Sequence, residues 1–108
     1  MAFAGSCVSA SLQVRFLPAA ETDLEEIVTY VALDDPQAAL KLADRIEASL
    51  ERLSGFPKLG RIPRDDDLRA AGYRYLVIGE YLAFYSVEGR TVMVHRILPG
   101  RRDYRELL

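Results

Sequence analysis

The chain has 108 residues, of which half are hydrophobic and 28% are charged, with 14 Lys or Arg against 16 Asp or Glu. This composition is typical of one globular domain, and it excludes a disordered chain and a histone-like protein that coats nucleic acid. Cys7 and His95 are the only residues of their types, which excludes an internal disulfide and any metal site built on several cysteines or histidines. We therefore expect no cofactor, no metal, and a reducing, cytoplasmic compartment.

Residues 1–11 precede the first patterned segment. They lack the basic start and the apolar run of about 7–15 residues that mark an export signal, so we predict a disordered leader before a single domain at residues 12–108. No run approaches the ~20 apolar residues of a membrane span. Charge is divided along the chain, since residues 1–47 hold three basic and eight acidic residues and residues 48–108 hold eleven and eight. This asymmetry predicts two separate charged surfaces.

A strand and a helix are predicted at the start of the domain. Apolar and polar residues alternate over residues 12–17, as in a half-buried strand. Pro18 suits the first turn of a helix. Apolar residues then recur at helical spacing, at Leu24, Ile27, Val28 and Val31. We place this helix at residues 19–33, with Thr22 and Glu25 at the spacing of a capping box.

A second helix follows almost at once. Asp35 before Pro36 is typical of a helix start, and apolar residues at helical spacing continue as far as Ser54-Gly55. Since only two or three residues separate the two helices, they must fold back on each other as an αα-hairpin. Each helix has one apolar face and one polar face, so we expect the apolar face of each to pack against another element of the fold.

The remaining sequence predicts a loop and three strands. Residues 56–67 are rich in proline and charge. Gly79-Glu80 and Glu88-Gly89 read as two-residue turns between strands at residues 73–78, 81–87 and 91–98, which predicts an antiparallel meander. The order β-α-α-β-β-β predicts an α+β fold, with the helix hairpin packed on one face of a small, mainly antiparallel sheet and a short basic tail at residues 101–108.

Basic residues near the C-terminal end of the predicted sheet are the first candidate site: Arg74, Arg96, Arg101 and Arg102, with Tyr104 close in sequence. Guanidinium groups that converge on one face suit the recognition of phosphate or carboxylate. In RNA cleavage such groups would stabilise the pentavalent phosphate while a tyrosine or histidine moves a proton. The alternative is a solvated edge at which the arginines pair with neighbouring carboxylates, and the sequence leaves both interpretations open.

Three further groups have a structural interpretation beside a functional one. His95 shares the strand parity of Ile97, which favours a packed core histidine over a general base. The tyrosines of the β-rich half could stack on nucleic-acid bases, but aromatic residues are common in strands, so core and edge positions are favoured. The charged residues of the two acidic helices are expected to face solvent. An exposed apolar residue among Val28, Val31 and Leu33 could bind a partner protein there.

Five motifs occur in one order and spacing: Pro18-Ala-Ala-Glu-Thr-Asp-Leu-Glu-Glu-Ile27, Asp35-Pro-Gln-Ala-Ala39, Phe56-Pro-Lys-Leu-Gly-Arg61, Gly72-Tyr-Arg-Tyr75 with Tyr81-Leu-Ala-Phe-Tyr85, and Arg96-Ile-Leu-Pro-Gly-Arg-Arg-Asp103. Over residues 12–108 the chain resembles the RelE/ParE superfamily of toxins from bacterial type II toxin–antitoxin modules, which includes plasmid stabilisation proteins. No single motif is specific, and the resemblance depends on their order and spacing.

The resemblance implies one of two activities. RelE-like members are ribosome-dependent mRNA endonucleases that use basic side chains and a C-terminal tyrosine or histidine. ParE-like members lack those groups and poison DNA gyrase. Members of both kinds are silenced by a small antitoxin that wraps around the toxin.

The sequence departs from the nuclease pattern at three positions. Leu82 stands where the nucleases usually have arginine, Pro99 stands where they commonly have histidine, and Leu108 falls near their late tyrosine, although Tyr104 could substitute from one turn earlier. Arg74 and Arg102 do match basic positions of the nucleases. A sequence pI near 5.4 fits poorly with a protein that enters the ribosomal RNA surface.

The resemblance therefore favours a cytoplasmic, ParE-like gyrase inhibitor that arrests growth and forms a hetero-oligomer with its antitoxin, without a membrane partner. Its expected target-binding residues are Arg74, Arg96, Arg101, Arg102 and Tyr104, and its expected antitoxin contacts are Val28, Val31 and Leu33. One alternative is a ribosome-dependent mRNA endonuclease with Arg74, Arg102 and Tyr104 as catalytic residues. The other is a degenerate module that only pairs with an antitoxin and regulates its operator.

Overall fold

A computed structural model describes residues 12–100 of the chain. Its regular elements, in chain order, are β1 (Gln13–Phe16), α1 (Pro18–Asp34), α2 (Pro36–Glu51), a 3₁₀ turn (Arg52–Ser54), α3 (Asp66–Ala70), β2 (Arg74–Ile78), β3 (Tyr81–Glu88) and β4 (Thr91–Pro99). The predicted leader lies outside the described residues, as does the tail at residues 101–108. No helix in the described part is long and apolar enough to span a membrane.

The two long helices start at prolines, as their sequences predict. Asp35 caps α2, because its side chain accepts hydrogen bonds of 3.1 Å from the amides of Gln37 and Ala38. The capping box expected at Thr22 is wrong, since α1 begins at Pro18 and its N-cap, Leu17, offers no side-chain acceptor. Pro18 has no amide proton at the first helical position, so this terminus has one donor fewer to satisfy.

The sheet has four strands in the order β1-β4-β3-β2. β2, β3 and β4 form the predicted antiparallel meander, whereas β1 pairs parallel to β4. Gly79 has φ +60° and Glu80 stays at negative φ, the pattern of a type II′ turn. The second turn lies one residue later than predicted, because Glu88 still pairs with Thr91 and Gly89-Arg90 makes the connection.

A β-bulge interrupts the pairing of β3 with β4. Phe84 pairs with Arg96 and the next residue, Tyr85, pairs with Val94, so His95 has no partner on β3. The predicted parity of His95 with Ile97 is therefore wrong, because the extra residue returns Ile97 to the core face together with Val94.

Both long helices cover one face of the sheet, and the core lies between them. Its fully buried members are Ala20, Ile46, Leu50, Leu53, Ile78, Ala83, Tyr85, Val92, Val94 and Ile97. The 3₁₀ turn joins this core to the first strand, since Leu12 and Ser54 exchange two hydrogen bonds of 2.9 and 2.6 Å. This arrangement confirms the predicted α+β fold with a helix hairpin on one face of a small sheet.

Candidate functional site

Arg96 binds Asp23 at the open edge of β4, beyond the end of β1. Its Nε and one Nη donate to the carboxylate at 2.7 and 2.9 Å, and the Ile97 amide donates to the same carboxylate at 3.0 Å. Asp23 is 8% exposed, so this carboxylate fixes α1 on the sheet. The hydrogen bonds from Arg96 to Asp23 raise the pKa of Arg96, with burial opposing.

Arg74, on the edge strand β2, also donates a hydrogen bond to a group outside its own strand. Its Nη1 donates to the carbonyl of Gly60 at 3.0 Å, and the Gly60 amide donates to the hydroxyl of Tyr85 at 2.8 Å. That hydroxyl donates in turn to the carbonyl of Pro57 at 2.8 Å. Burial raises the pKa of Tyr85, while the Gly60 amide and Arg74 oppose the shift. Arg74 therefore holds the loop before α3 against the sheet.

The loop is also bound to the sheet through its backbone. Arg61 and Tyr75 exchange two backbone hydrogen bonds of 2.7 and 2.9 Å, which adds a one-residue bridge to the outer edge of β2. Asp65 then caps α3 by accepting from Asp67 and Leu68. This bridge and this helix were not predicted, although Asp65 before two further aspartates is a helix-start signal.

The structure does not bring Arg74 and Arg96 to one point. β3 lies between their strands, which corresponds to a separation of about 10 Å at the usual strand spacing. Each donates hydrogen bonds to a group within the fold. The other three residues of the predicted cluster, Arg101, Arg102 and Tyr104, lie outside the described residues.

His95 lies in a packed environment on the sheet face away from the helices. Its Nε2 is 2.8 Å from the hydroxyl of Ser86, and its ring meets Tyr73 edge to face, with 4.8 Å between the centroids. Burial lowers the pKa of His95, and the nearby charge of Glu88 partly opposes this. The lowered pKa favours the neutral form of the imidazole, which suits a packing role.

The tyrosines are distributed over the core and the edge strand. Tyr85 is completely buried, and Tyr81 packs against the core. Tyr75 packs on Phe84 across two strands, with 5.8 Å between the ring centroids. The described tyrosines of the sheet thus occupy the core and edge positions that strand packing favours.

The helix hairpin exposes three large apolar side chains. Leu33 is 81% exposed, Tyr30 is 76% exposed and Leu40, on α2, is 66% exposed. Val28 and Val31 are half-buried. Of the predicted partner contacts, Leu33 is therefore the most accessible. Sequence reasoning missed Tyr30 and Leu40, although both lie outside the apolar stripes and such positions are normally polar on a solvated face.

A groove of about 980 Å³, which we call the corner groove, lies between α1 and the end of the sheet. Its wall on α1 includes Glu26 and Tyr30. The end of the sheet contributes Val77, Glu80 in the β2–β3 turn, and Gly100 after β4. Within residues 12–100, no group of three or more His, Cys, Asp or Glu side chains is placed to hold a metal ion.

Two solved structures share this fold. A chain of the chromosomal ParDE toxin–antitoxin system from P. aeruginosa superposes with a TM-score of 0.68 over 83% of this chain and 97% of its own, at 24% identity. A chain of the toxin–antitoxin complex RelBE2 from Mycobacterium tuberculosis gives a TM-score of 0.57 over 82% and 98%, at 23% identity. The fold is therefore that of chains found in toxin–antitoxin complexes.

The sequence comparison is more specific than the fold. The chain belongs to the family described as ParE toxin of type II toxin-antitoxin system, parDE, whose model matches residues 14–104. A curated relative, Toxin ParE3 of Caulobacter vibrioides, is 40% identical over 60 residues, and this match spans 56% of the chain and 57% of that protein. These findings confirm the resemblance to the RelE/ParE superfamily.

Proposed function

We propose that the chain is the toxin of a type II module, neutralised by a cognate antitoxin, and that it acts in the cytoplasm by binding DNA gyrase. Membership of the ParE family supports this branch over the endonucleases. The function is then one of recognition: a surface of the toxin docks on the target, and the toxin itself moves no proton.

The hydrogen bonds that Arg74 and His95 form within the fold are the observation that best supports this proposal. A nuclease needs an arginine directed at the phosphate and a group that exchanges protons. Arg74 instead donates to the carbonyl of Gly60, and His95 is hydrogen-bonded to Ser86 beside Tyr73. Both described candidates for that chemistry are thus engaged in holding the fold together.

The proposed target-binding surface keeps the residues expected from the sequence, namely Arg74, Arg96, Arg101, Arg102 and Tyr104, although Arg74 contributes to it by holding the loop at Gly60. Arg96 contributes by fixing the end of β4 through Asp23, and the adjoining residues would contact the target. Each lost charge-assisted contact of this kind costs about 1–3 kcal/mol of binding free energy.

The proposed antitoxin site is the helix hairpin with the adjoining sheet edge. Leu33, Tyr30 and Leu40 offer exposed apolar area there, and Val28 and Val31 are half-buried on the same helix as Leu33. A stable antitoxin complex would bury on the order of 1,200–2,000 Å² or more in total.

Induction of the chain alone in a bacterial host tests the target. Inhibition of gyrase predicts DNA breaks and an SOS response, and co-expression of the product of the neighbouring gene should suppress both. Cuts in mRNA at particular codons, without DNA breaks, would instead establish the ribosome-dependent endonuclease. Unimpaired growth with antitoxin binding retained would establish the degenerate module.

A further inference from the structure

The corner groove combines apolar surface with negative charge. Tyr30 and Val77, which line it, are 76% and 48% exposed. Glu26 and Glu80 are exposed in the same groove, and neither forms an ion pair within residues 12–100. The lining residues include one cation, Arg96, which pairs with Asp23 and is also close enough to Glu26 for that carboxylate to help raise its pKa. The lining therefore holds three carboxylates, those of Asp23, Glu26 and Glu80, against one guanidinium. Arg45 is not itself a lining residue, but its guanidinium approaches Gly79, which lines the groove, from α2. An occupant that suits this surface carries arginine or lysine together with apolar side chains.

The edge of β4 inside the groove is closed to strand addition. Ile97 directs its amide outward, where Asp23 accepts it at 3.0 Å. The next residue whose amide would point outward is Pro99, which has none. Because these two positions offer no free donor, strand addition at this edge is disfavoured, and we expect side-chain contacts to contribute most to holding an occupant.

The described part of the chain ends at Gly100, which lines the groove, and the residues that follow in the sequence have this composition. Gly100 lines the groove and donates its amide to the carbonyl of Glu80 at 2.9 Å. The eight residues that follow, Arg-Arg-Asp-Tyr-Arg-Glu-Leu-Leu, contain three arginines against two acidic residues, with three large apolar residues besides. Arg101 is the next residue after Gly100, so its side chain starts one Cα–Cα step, about 3.8 Å, from the groove.

We propose that residues 101–108 bind intramolecularly in the corner groove of the free protein. Arg101 and Arg102 pair with Glu80 and Glu26, and the apolar residues of the tail cover Tyr30 and Val77. Tethering favours this contact, because a short linker gives an effective concentration on the order of millimolar. Weak side-chain contacts are then sufficient to keep the groove occupied.

This contact has a regulatory consequence, which rests on the proposed function. Arg101 and Arg102 belong to the proposed target-binding surface, and while they lie in the groove they are withheld from the target. Binding of the target must therefore release the tail, and its observed affinity is reduced by the fraction of molecules in the closed state.

A spin label on the tail tests the contact itself, without reference to toxicity. A full-length chain with Cys7→Ser and Leu107→Cys carries a nitroxide at residue 107, and the amide signals of Glu26, Tyr30 and Val77 are followed by NMR. We expect these signals to be broadened more than those of Gln13 and Glu21. Equal broadening throughout would overturn the proposal. Broadening that appears only when labelled chains are mixed with isotope-enriched ones would identify a second copy as the occupant and overturn it as well.

A charge exchange tests the partners of the arginines. Glu26→Lys with Glu80→Lys should lower the ratio of docked to released tail by about fivefold, as two exposed ion pairs are lost. Adding Arg101→Glu with Arg102→Glu should restore the broadening in the same chain. The matched control, Glu21→Lys with Glu51→Lys, changes the net charge equally outside the groove and should leave it intact. A loss in the control equal to that in the groove variant, or no rescue by the exchange, would contradict the pairing.

Discussion

Asp23 and Arg96 form a bidentate ion pair, in which Nε and Nη2 of the arginine donate to the carboxylate at 2.7 and 2.9 Å, although 73 positions separate the two residues in the sequence. The same carboxylate holds the Ile97 amide, so one side chain of α1 satisfies three donors of β4. The side of β4 that faces away from β3 is therefore held in two parts. β1 pairs with the first half of the strand, and Asp23 binds the part beyond β1.

Replacement of Asp23 by alanine should destabilise the fold by about 2–4 kcal/mol, because it leaves the partly buried Arg96 and the Ile97 amide without this acceptor. Urea unfolding followed by circular dichroism measures the loss. The control is Glu25→Ala, an exposed carboxylate on the same helix, which should stay within about 0.5 kcal/mol of the parent. A loss no larger than that of the control would mean that Asp23 is not what fixes α1 on the sheet.

The second prediction compares two glycines. A Cβ at Gly60 would lie 2.6 Å from the Tyr85 hydroxyl and 2.8 Å from the Tyr75 carbonyl, whereas a Cβ at Gly55 meets nothing within 4 Å. Gly60→Ala should therefore cost about 1–3 kcal/mol through overpacking. Gly55→Ala, at φ −96°, should be neutral or slightly stabilising. Equal melting temperatures for both variants would contradict the close approach of loop and sheet.

The third prediction concerns stability at acidic pH. Burial lowers the pKa of His95 below its ordinary value of 6.5, so below that pH the unfolded chain binds a proton that the folded chain resists. The contribution of His95 to the free energy of unfolding is fully present above pH 6.5 and is lost as the pH falls through the lowered pKa.

Because His95 is the only histidine, the variant His95→Gln isolates its effect. Unfolding free energies measured from about pH 7 to about pH 5 should fall less steeply in the variant than in the parent. The comparison concerns the slope, so a uniform loss of packing energy does not affect it. Parallel curves for the two proteins would show that His95 does not titrate as described.

The fourth prediction tests the antitoxin surface. Tyr30→Ser and Leu33→Ser remove large side chains that are mostly exposed, so they should leave the melting temperature nearly unchanged. Each should weaken antitoxin binding by about tenfold or more if it is an anchor of the interface. Calorimetric titration with the product of the neighbouring gene provides the affinity. Val87→Ser, an exposed apolar position on β3, is the control for a general loss of apolar surface.

The fifth prediction distinguishes docking from catalysis. If the tail docks on the target, Tyr104→Phe should remain toxic, while Arg101→Ala and Arg102→Ala should each weaken target binding by about 1–3 kcal/mol. If the protein is a nuclease, Tyr104→Phe should lower mRNA cleavage by ~10²-fold or more while ribosome binding survives. A Tyr104→Phe protein that is folded, binds antitoxin and is harmless would decide for the nuclease.

Local signals in the sequence were sufficient for most of the elements. Asp35 before Pro36 marks the start of α2, and Gly79 marks the first hairpin, because caps and turns depend on neighbouring residues. The bulge at His95 was missed, since β4 has apolar residues at odd and at even positions, such as Ile97 and Val94, so the shift in alternation leaves no visible mark in the sequence. The partners of Arg74 and Arg96 were missed for another reason. A carbonyl at Gly60 and a carboxylate at Asp23 become neighbours only when the loop and α1 pack on the sheet.

The position of β4 has a consequence for synthesis of the protein. This strand is made last among the described elements, yet it lies between β1 and β3, and it supplies Val92, Val94 and Ile97 to the core. A nascent chain that has not reached Thr91 contains both long helices and the β2–β3 hairpin but lacks β4, which joins β1 to β3, so part of the apolar surface of the helices stays exposed. Premature stop codons upstream of Thr91 should therefore abolish toxicity completely, and ribosomes that stall before this codon release no folded toxin.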